Sequence, residues 1–254
     1  MNFSSLNDTD KLLLSRMDDF IMKASEKYTT QYSHFLDERQ ALLCTQYLKS
    51  RMCSNYMLWG GHENAERAVL GIFADFEDPE NEAFPIAALT FTYRKEDQLS
   101  HRDFLGALMN LMIKRESIGD ILVGEGLAVV FIQRKLASLV INEVTKIGRT
   151  GVKIQEDTPL GLPEGKGFVD LSGTVSSLRL DCIISLITKL SREKAADLIK
   201  SGSVSVMFSP CEDITFQVEQ GTKISIRGYG RFILAELGGH SKKGRLHVTC
   251  KKYL

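Results

Sequence analysis

The clearest hydrophobic pattern along the chain is a pair of short helical stripes on either side of residue 190. The first consists of Leu180, Ile183, Ile184 and Ile187, and the second of Ala195, Leu198 and Ile199. Such spacing places apolar side chains on one face of a helix. Ser176 or Ser177 is expected to cap the first helix, Ser191 to cap the second, and Gly202 to end it. Strand-like alternation follows at 204–206.

The first 82 residues predict an N-terminal α/β segment. Asp8 or Thr9 begins one amphipathic helix and Asp37 a second. The apolar runs 56–59 and 68–74 predict two strands after them. An acidic loop containing Pro79 then indicates a boundary near residue 82.

Residues 83–160 alternate between strand and helix patterns in the order β-α-β-β-α-β, which is that of a ferredoxin-like fold. RNA-recognition motifs share this order, but no aromatic run of their kind is present, so base stacking on this sheet is not expected. Residues 161–175 begin with three Gly and one Pro within seven residues and predict a linker. Residues 176–254 then form a separate domain, and the whole chain is expected to be α+β.

The formal net charge of zero hides an asymmetry between the two parts of the chain. Residues 1–165 contain 18 Lys and Arg against 24 Asp and Glu, whereas residues 166–254 contain 14 against 8. A basic C-terminal third suggests a polyanionic partner. Five scattered cysteines without a C-x-x-C pair are typical of a reducing cytoplasm, and no run is apolar enough for a membrane span.

An ordered set of residues in the basic third resembles an S4 RNA-binding domain. The set is Arg179-Leu180-Asp181, Ser191-Arg192-x-x-Ala195, Leu198-Ile199, Gly202-x-Val204-x-Val206 and Gly221-x-x-Ile224-x-Ile226-Arg227-Gly228-x-Gly230-Arg231-Phe232. S4 domains usually continue from the Val-x-Val strand with Asn-Gly. Met207-Phe208 stands there in this chain, so the turn is expected to differ.

A second group of residues resembles the YlmH-type family of bacterial S4 proteins. The group is Gly60-Gly61, Ala65-Glu66-Arg67, the run 101–108 (His-Arg-Asp-Phe-Leu-Gly-Ala-Leu), Ile113-Lys114-Arg115-Glu116 and Gly119-Asp120-Ile121-Leu122. Met112 departs from the family, which often has Gly there. The resemblance implies a bacterial, cytoplasmic, non-enzymatic RNA-binding protein, and we expect a monomer without a cofactor. It implies docking on ribosomal RNA of the large subunit, in rescue of stalled subunits that still hold peptidyl-tRNA, with tRNA as a further candidate partner.

Basic and polar side chains of the S4-like region form the predicted RNA-binding set. Its members are Arg179, Asp181, Ser191, Arg192, Lys194, Lys200, Arg227, Tyr229 and Arg231. The arginines present guanidinium forks to phosphates, and the lysines add point charges. Asp181 either orients Arg179 or is a solvated carboxylate, and Tyr229 either stacks on a base or is a half-buried strand aromatic.

The triplet His101-Arg102-Asp103 also occurs in the catalytic loop of protein kinases, but the other parts of that machinery are missing. In one interpretation Asp103 complements a helix dipole and Arg102 pairs with an acid. In the other, a second RNA patch forms from His101, Arg102, Lys114 and Arg115.

An enzymatic alternative is an RNA-modifying protein that uses an S4 domain for targeting. A pseudouridine synthase needs a catalytic Asp in its own domain type, and a methyltransferase needs a Gly-rich methyl-donor loop. Residues 1–165 show neither, and the run 161–167 lacks the spacing and the Ser or Thr of a phosphate-binding loop. No catalytic residue, metal site or cofactor is therefore expected. A protein-binding role for the acidic body remains open alongside RNA binding.

Overall fold

The computed structural model describes residues 6–163, 168–241 and 244–253. Contacts divide the mixed α/β chain into two compact units, Met1–Gly165 and Lys166–Leu254. Residues 164–167, which belong to the predicted linker and to the loop considered for phosphate binding, lie outside the described residues.

The described part of the first unit contains four α-helices and nine strands. The helices are α1 (Asp8–Glu26), α2 (Glu38–Ser50), α3 (His101–Asn110) and α4 (Ala137–Glu143). The strands are β1 (Gln31–Leu36), β2 (Tyr56–Trp59), β3 (Ala68–Ile72), β4 (Ile86–Thr92), β5 (Ile118–Val123), β6 (Leu127–Gln133), β7 (Lys146–Ile147), β8 (Thr150–Gly151) and β9 (Lys153–Glu156). Short 3-10 turns lie at Asn81–Ala83, Arg115–Ser117 and Arg134–Leu136.

These elements pack as four layers. Helices α1 and α2 cover one face of the antiparallel sheet β1-β3-β2, where Met17 and Cys44 are buried. The other face of that sheet packs on the antiparallel sheet β5-β6-β4-β9 through Phe35 and Phe131. Helices α3 and α4 cover the far side, where Phe104 is buried. Both faces of the four-stranded sheet are therefore occupied by protein.

The predicted boundary near residue 82 does not separate two domains. Phe84 and Ile86, which follow it, share one core with Phe35, Val69 and Phe73, which precede it. The chain up to Gly165 accordingly forms a single unit. The acidic loop around Pro79 is a surface loop that connects two packed sheets. Its composition alone could not show that the segments on either side share a core.

A network of polar contacts joins the two sheets of the first unit. The Asp120 carboxylate accepts hydrogen bonds from the backbone N–H groups of Glu66 (2.7 Å) and Arg67 (3.1 Å). The Arg67 guanidinium donates to the carbonyls of Phe35 (3.0 Å) and Ile118 (3.0 Å). These contacts give a structural role to residues that carry the family resemblance in the first unit.

Gly61 allows a close approach within this junction. Its φ is +96°, and a Cβ there would lie 2.2 Å from the ring of Phe131. A larger residue would collide with a fully buried aromatic side chain, so glycine is required at this position. The neighbouring His62 ring stacks on Phe131 at a centroid distance of 4.8 Å.

The second unit is a six-stranded antiparallel sheet with two helices on one face. The helices are α5 (Leu180–Thr188) and α6 (Arg192–Lys200). The strands are β10 (Phe168–Val175), β11 (Val204–Val206), β12 (Ser209–Pro210), β13 (Lys223–Ile226), β14 (Gly230–His240) and β15 (Leu246–Tyr253), in the order β10-β15-β14-β13-β11-β12. Every residue of the two predicted helical stripes is buried or packs against the core between helices and sheet.

Two predictions for this unit were wrong. Residues 168–175 are not linker, because β10 pairs with β15 along its whole length. The first helix is capped by Arg179 rather than by a serine. The hydroxyls of Ser176 and Ser177 instead lie 3.5 and 3.6 Å from the Cys182 sulfur. Ser191 does cap α6, since its Oγ accepts a hydrogen bond from the Lys194 N–H at 3.3 Å.

Candidate nucleic-acid interface

A buried carboxylate holds two arginines together at the start of the two helices of the second unit. Asp181, 4% exposed, lies in the first turn of α5. Its Oδ1 accepts from Arg179 Nε at 3.1 Å, and its Oδ2 accepts from Arg192 Nη2 at 2.6 Å. The predicted contact with Arg179 is thus present, and the alternative of a solvated carboxylate is wrong. The contact with Arg192, eleven residues further on, was not predicted. We call this arrangement the arginine pair.

Electrostatics favour the charged forms of Asp181 and Arg192. Burial acts to raise the pKa of Asp181, but hydrogen bonds from Arg192 and Arg179 outweigh it and hold that pKa below its ordinary value. The hydrogen bond with Asp181 raises the pKa of Arg192. The side chains of Arg179 and Arg192 remain 33% and 54% exposed. Each guanidinium is therefore anchored on its inner side and accessible on its outer side.

Helix α6 presents further cations. Lys194 lies in its first turn and Lys200 in its last, and both are exposed. At a rise of 1.5 Å per residue, Arg192 and Lys200 are separated by about 12 Å along the helix axis. Lys194 is therefore close in sequence to the arginine pair, whereas Lys200 marks the opposite end of the helix.

The predicted residues of the β13–β14 hairpin fall into different environments. Arg227 is exposed at the hairpin tip, which is tied to the C-terminal side of α6 by the hydrogen bond from Arg227 N to Ser203 O (2.9 Å). Tyr229 packs against the core, as its structural interpretation predicts. Arg231 precedes the buried Phe232 on β14 and so faces away from the helices. The nine predicted residues therefore do not form one continuous surface.

The second predicted patch is also divided. Arg102 and Lys114 are exposed near opposite ends of α3, and His101 is half-buried. Arg115 does not belong to an RNA-facing patch, because its Nη1 donates to the carbonyls of Ile118 (2.6 Å) and Gly119 (3.2 Å). Burial, with repulsion by Arg67, lowers the pKa of Arg115 to about 10.

Asp103 has the structural role that one interpretation gave it. Its Oδ2 accepts hydrogen bonds from Ser100 N at 2.8 Å and from Ser100 Oγ at 2.7 Å, at the N-terminus of α3. These bonds lower the pKa of Asp103. The carboxylate of the kinase-like triplet therefore stabilises the start of a helix.

Within residues 6–163, 168–241 and 244–253, no group of three or more His, Cys, Asp or Glu side chains is placed to hold a metal ion. No helix in the same ranges is long and apolar enough to cross a membrane.

Comparisons with known proteins identify the family to which the chain belongs. A family model described as "Putative RNA-binding domain in YlmH" matches residues 79–159, which contain the four-stranded sheet and its two helices. A curated relative from Bacillus subtilis, "Ribosome-associated protein quality control protein P2", is 31% identical over 233 residues, or 89% of each chain. Because this identity extends over most of both proteins, the chain belongs to the bacterial YlmH family.

A solved structure agrees with this assignment. "Cell division protein ylmH from Streptococcus pneumoniae" is 26% identical and superposes with a TM-score of 0.52, covering 60% of this chain and 93% of that one. The resemblance to the YlmH family, drawn first from scattered motif residues, is thereby confirmed.

Proposed function

We propose that this chain is an RNA-binding factor of the ribosome that docks the α5–α6 surface on ribosomal RNA of the large subunit. The observation that carries the proposal is the arginine pair. One buried carboxylate fixes two guanidiniums whose outer sides remain exposed, beside the N-terminus of a helix. Guanidinium forks and helix N-termini both favour phosphate oxygens. The excess of basic residues in this part of the chain supports a polyanionic ligand.

We also propose the finer fold assignments. The order β5-β6-β4-β9, with two helices on one face, supports a ferredoxin-like domain. The succession α5, α6 and β11 with a basic helical surface supports an S4 domain. Its sheet, extended by β10 and β15, reaches further than the motif residues do.

The biological role is proposed from the relative's name. A ribosome-associated quality control protein is 31% identical over most of the chain. Rescue of stalled large subunits carrying peptidyl-tRNA, by a cytoplasmic monomer without chemistry of its own, is the corresponding role here. The absence of chemistry is supported by the two motif carboxylates, because Asp103 caps α3 and Asp181 holds arginines.

Replacing one arginine of the pair tests the docking surface. We expect Arg192→Ala to weaken binding to large ribosomal subunits by roughly 1–3 kcal/mol, about 5- to 150-fold, because a charge-assisted phosphate contact is lost. Co-sedimentation across a salt series should show a shallower dependence on salt than for the original protein.

The control for this experiment is Arg245→Gln, which removes the same charge from the β14–β15 turn, where Arg245 donates to Thr174 O at 2.8 Å. Its affinity should stay within about twofold of the original, because an exposed charge outside the proposed contact surface is screened at physiological salt. If both variants lost the same affinity, the proposal that α5–α6 is the docking surface would be refuted. If the original protein did not sediment with either subunit, the proposal that the ribosome is its partner would be refuted.

A further inference from the structure

The outer face of the six-stranded sheet in the second unit carries aromatic and basic side chains that no motif brings together. Helices α5 and α6 cover the inner face, where Phe232 and Cys250 are buried. Because side chains alternate between the faces of a strand, Arg231 and Lys251 point outward. On β10, Phe168 lies opposite the outward Tyr253.

The aromatic rings and the cations on this face contact each other. The rings of Phe168 and Tyr253 meet edge to face with centroids 5.0 Å apart. The Arg231 guanidinium lies 5.0 Å from the Tyr253 centroid, and Lys251 Nζ lies 5.8 Å from the Phe168 centroid. Phe168 is nonetheless 49% exposed. Cation–π contacts hold the charges beside aromatic surface that remains accessible.

Among the described residues of this face, the cations outnumber the acids. Lys223 points outward from β13, diagonally across from Arg231 on β14. Burial lowers the pKa of Lys223, and repulsion by Arg231 lowers it further. Asp170, opposite Lys251 on β10, and Glu236, opposite Thr249 on β14, are acids on this face. Cross-strand packing explains the aromatic pair, and the cations beside the rings would complement a ligand with negative charge.

We propose that this outer face, defined by Phe168, Lys223, Arg231, Lys251 and Tyr253, binds an unpaired segment of RNA. We call it the outer-sheet platform. Single-stranded RNA is bound by grooves or sheets that combine aromatic side chains for base stacking with cations for the phosphates. The platform meets both requirements. The inference rests on the proposed RNA-binding function and adds a second surface, across the sheet from the arginine pair.

Two adjacent lysines supply a matched test. Lys251 points outward, whereas Lys252 points inward and lies 5.8 Å from the ring of the buried Phe232. Lys251→Gln and Lys252→Gln therefore remove equal charge from opposite faces of one strand. In the full-length protein, anisotropy with a fluorescein-labelled oligouridine of about 12 nucleotides measures the affinity. We expect an approximately fivefold loss for Lys251→Gln and less than a twofold loss for Lys252→Gln.

The aromatic contribution has a control on the same strand. Val169 is 42% exposed and pairs with Lys252, so it lies on the inner side of β10. Phe168→Leu keeps an apolar side chain but removes the ring, and we expect it to weaken oligouridine binding about tenfold. Val169→Leu should leave affinity unchanged. Thermal melting of both variants verifies that each is folded.

The outcomes separate this inference from the proposed function. If each variant and its control, both folded, changed oligouridine affinity equally, then the ring of Phe168 and the charge of Lys251 would only stabilise the strands. That result would overturn the platform. If Arg192→Ala still weakened subunit binding in that case, the proposed function would stand without it. Oligouridine binding that is insensitive to Phe168→Leu and to Lys251→Gln, but abolished by Arg192→Ala, would place single strands on α5–α6 and likewise overturn the platform.

Discussion

At the scale of single residues, Asp181 makes one contact that the local sequence predicts and one that only the tertiary structure shows. Its contact with Arg179 could be expected from the sequence because the two residues are only two positions apart. Its shorter contact with Arg192 depends on the turn that brings the start of α6 back to the start of α5. That turn passes through Lys189 in a left-handed conformation (φ 59°), which no residue preference indicated.

The depressed pKa of Asp181 predicts a pH-dependent contribution to stability. A carboxylate whose pKa is lowered by folding stabilises the protein above its ordinary pKa of about 4, and this contribution is lost as pH falls through the folded value. We expect Asp181→Asn to reduce the free energy of unfolding by about 2 kcal/mol at neutral pH, because two arginines lose a charged acceptor. Urea denaturation followed by circular dichroism measures this difference.

Acidification should narrow the difference between Asp181→Asn and the original protein, since below the lowered pKa of the folded state the carboxyl group becomes neutral in both the folded and the unfolded chain. Asp197→Asn is the control, because it removes an exposed carboxylate from α6. If the two variants were equally stable at neutral pH, the structural importance of the arginine pair would be contradicted.

At the scale of elements, the hairpin between β11 and β12 explains the departure from the S4 pattern. Val206 pairs with Ser209 around a two-residue turn, and Met207 and Phe208 both have positive φ, 45° and 68°. Positive φ at both central positions is the requirement of a type I′ turn, for which Asn-Gly is preferred. The turn therefore adopts the geometry that Asn-Gly favours, with side chains that disfavour it.

Substitution of this turn should stabilise the second unit. Non-glycine residues in left-handed conformations cost about 1–2 kcal/mol each. Glycine relieves this cost, but it also increases the conformational entropy of the unfolded chain, which reduces the net stabilisation. We expect Met207→Asn with Phe208→Gly to increase the free energy of unfolding by about 1 kcal/mol. The control, Met207→Ala with Phe208→Ala, removes the same apolar groups without relieving the backbone. An equal effect of both pairs would mean that exposed apolar surface, not backbone conformation, decides the stability.

Strand β10 marks the limit of element prediction. Its residues do alternate, with Leu171, Gly173 and Val175 on one side and polar residues between them. Its pairing partner, β15, is the last strand, more than seventy residues away. Helices α5 and α6 could be predicted because their periodicity is local, whereas the assignment of a short strand depends on a partner that the local sequence does not show. The outer-sheet platform was missed for the same reason, since its aromatic pair joins these two strands.

At the scale of the whole molecule, the β-α-β-β-α-β order of residues 83–160 could be predicted. Strand β1, which lies between the two predicted N-terminal helices, was missed, and the four-layer packing of the first unit could not be predicted. The nearly continuous apolar runs of β4 and β6 show only that both faces of these strands are apolar. They do not show that the N-terminal sheet covers the second face through Phe35 and Phe131. This packing has a functional consequence, because the sheet surface on which RNA-recognition motifs stack bases is closed.

The distribution of charge and the family comparison favour different units as the main RNA-binding part. Residues 166–254 carry six more basic than acidic residues, and residues 1–165 carry six more acidic than basic ones. The family model for an RNA-binding domain, however, matches residues 79–159.

We expect residues 166–254 alone to bind RNA at least about tenfold more tightly than residues 1–165 alone, because phosphate contacts dominate such affinities. Filter binding of the two separate units, each verified as folded, measures the ratio across a salt series. The reverse ranking would place the main contact on the first unit. Since its four-stranded sheet is buried on both faces, that contact would use exposed side chains outside the sheet, among them Arg102 and Lys114.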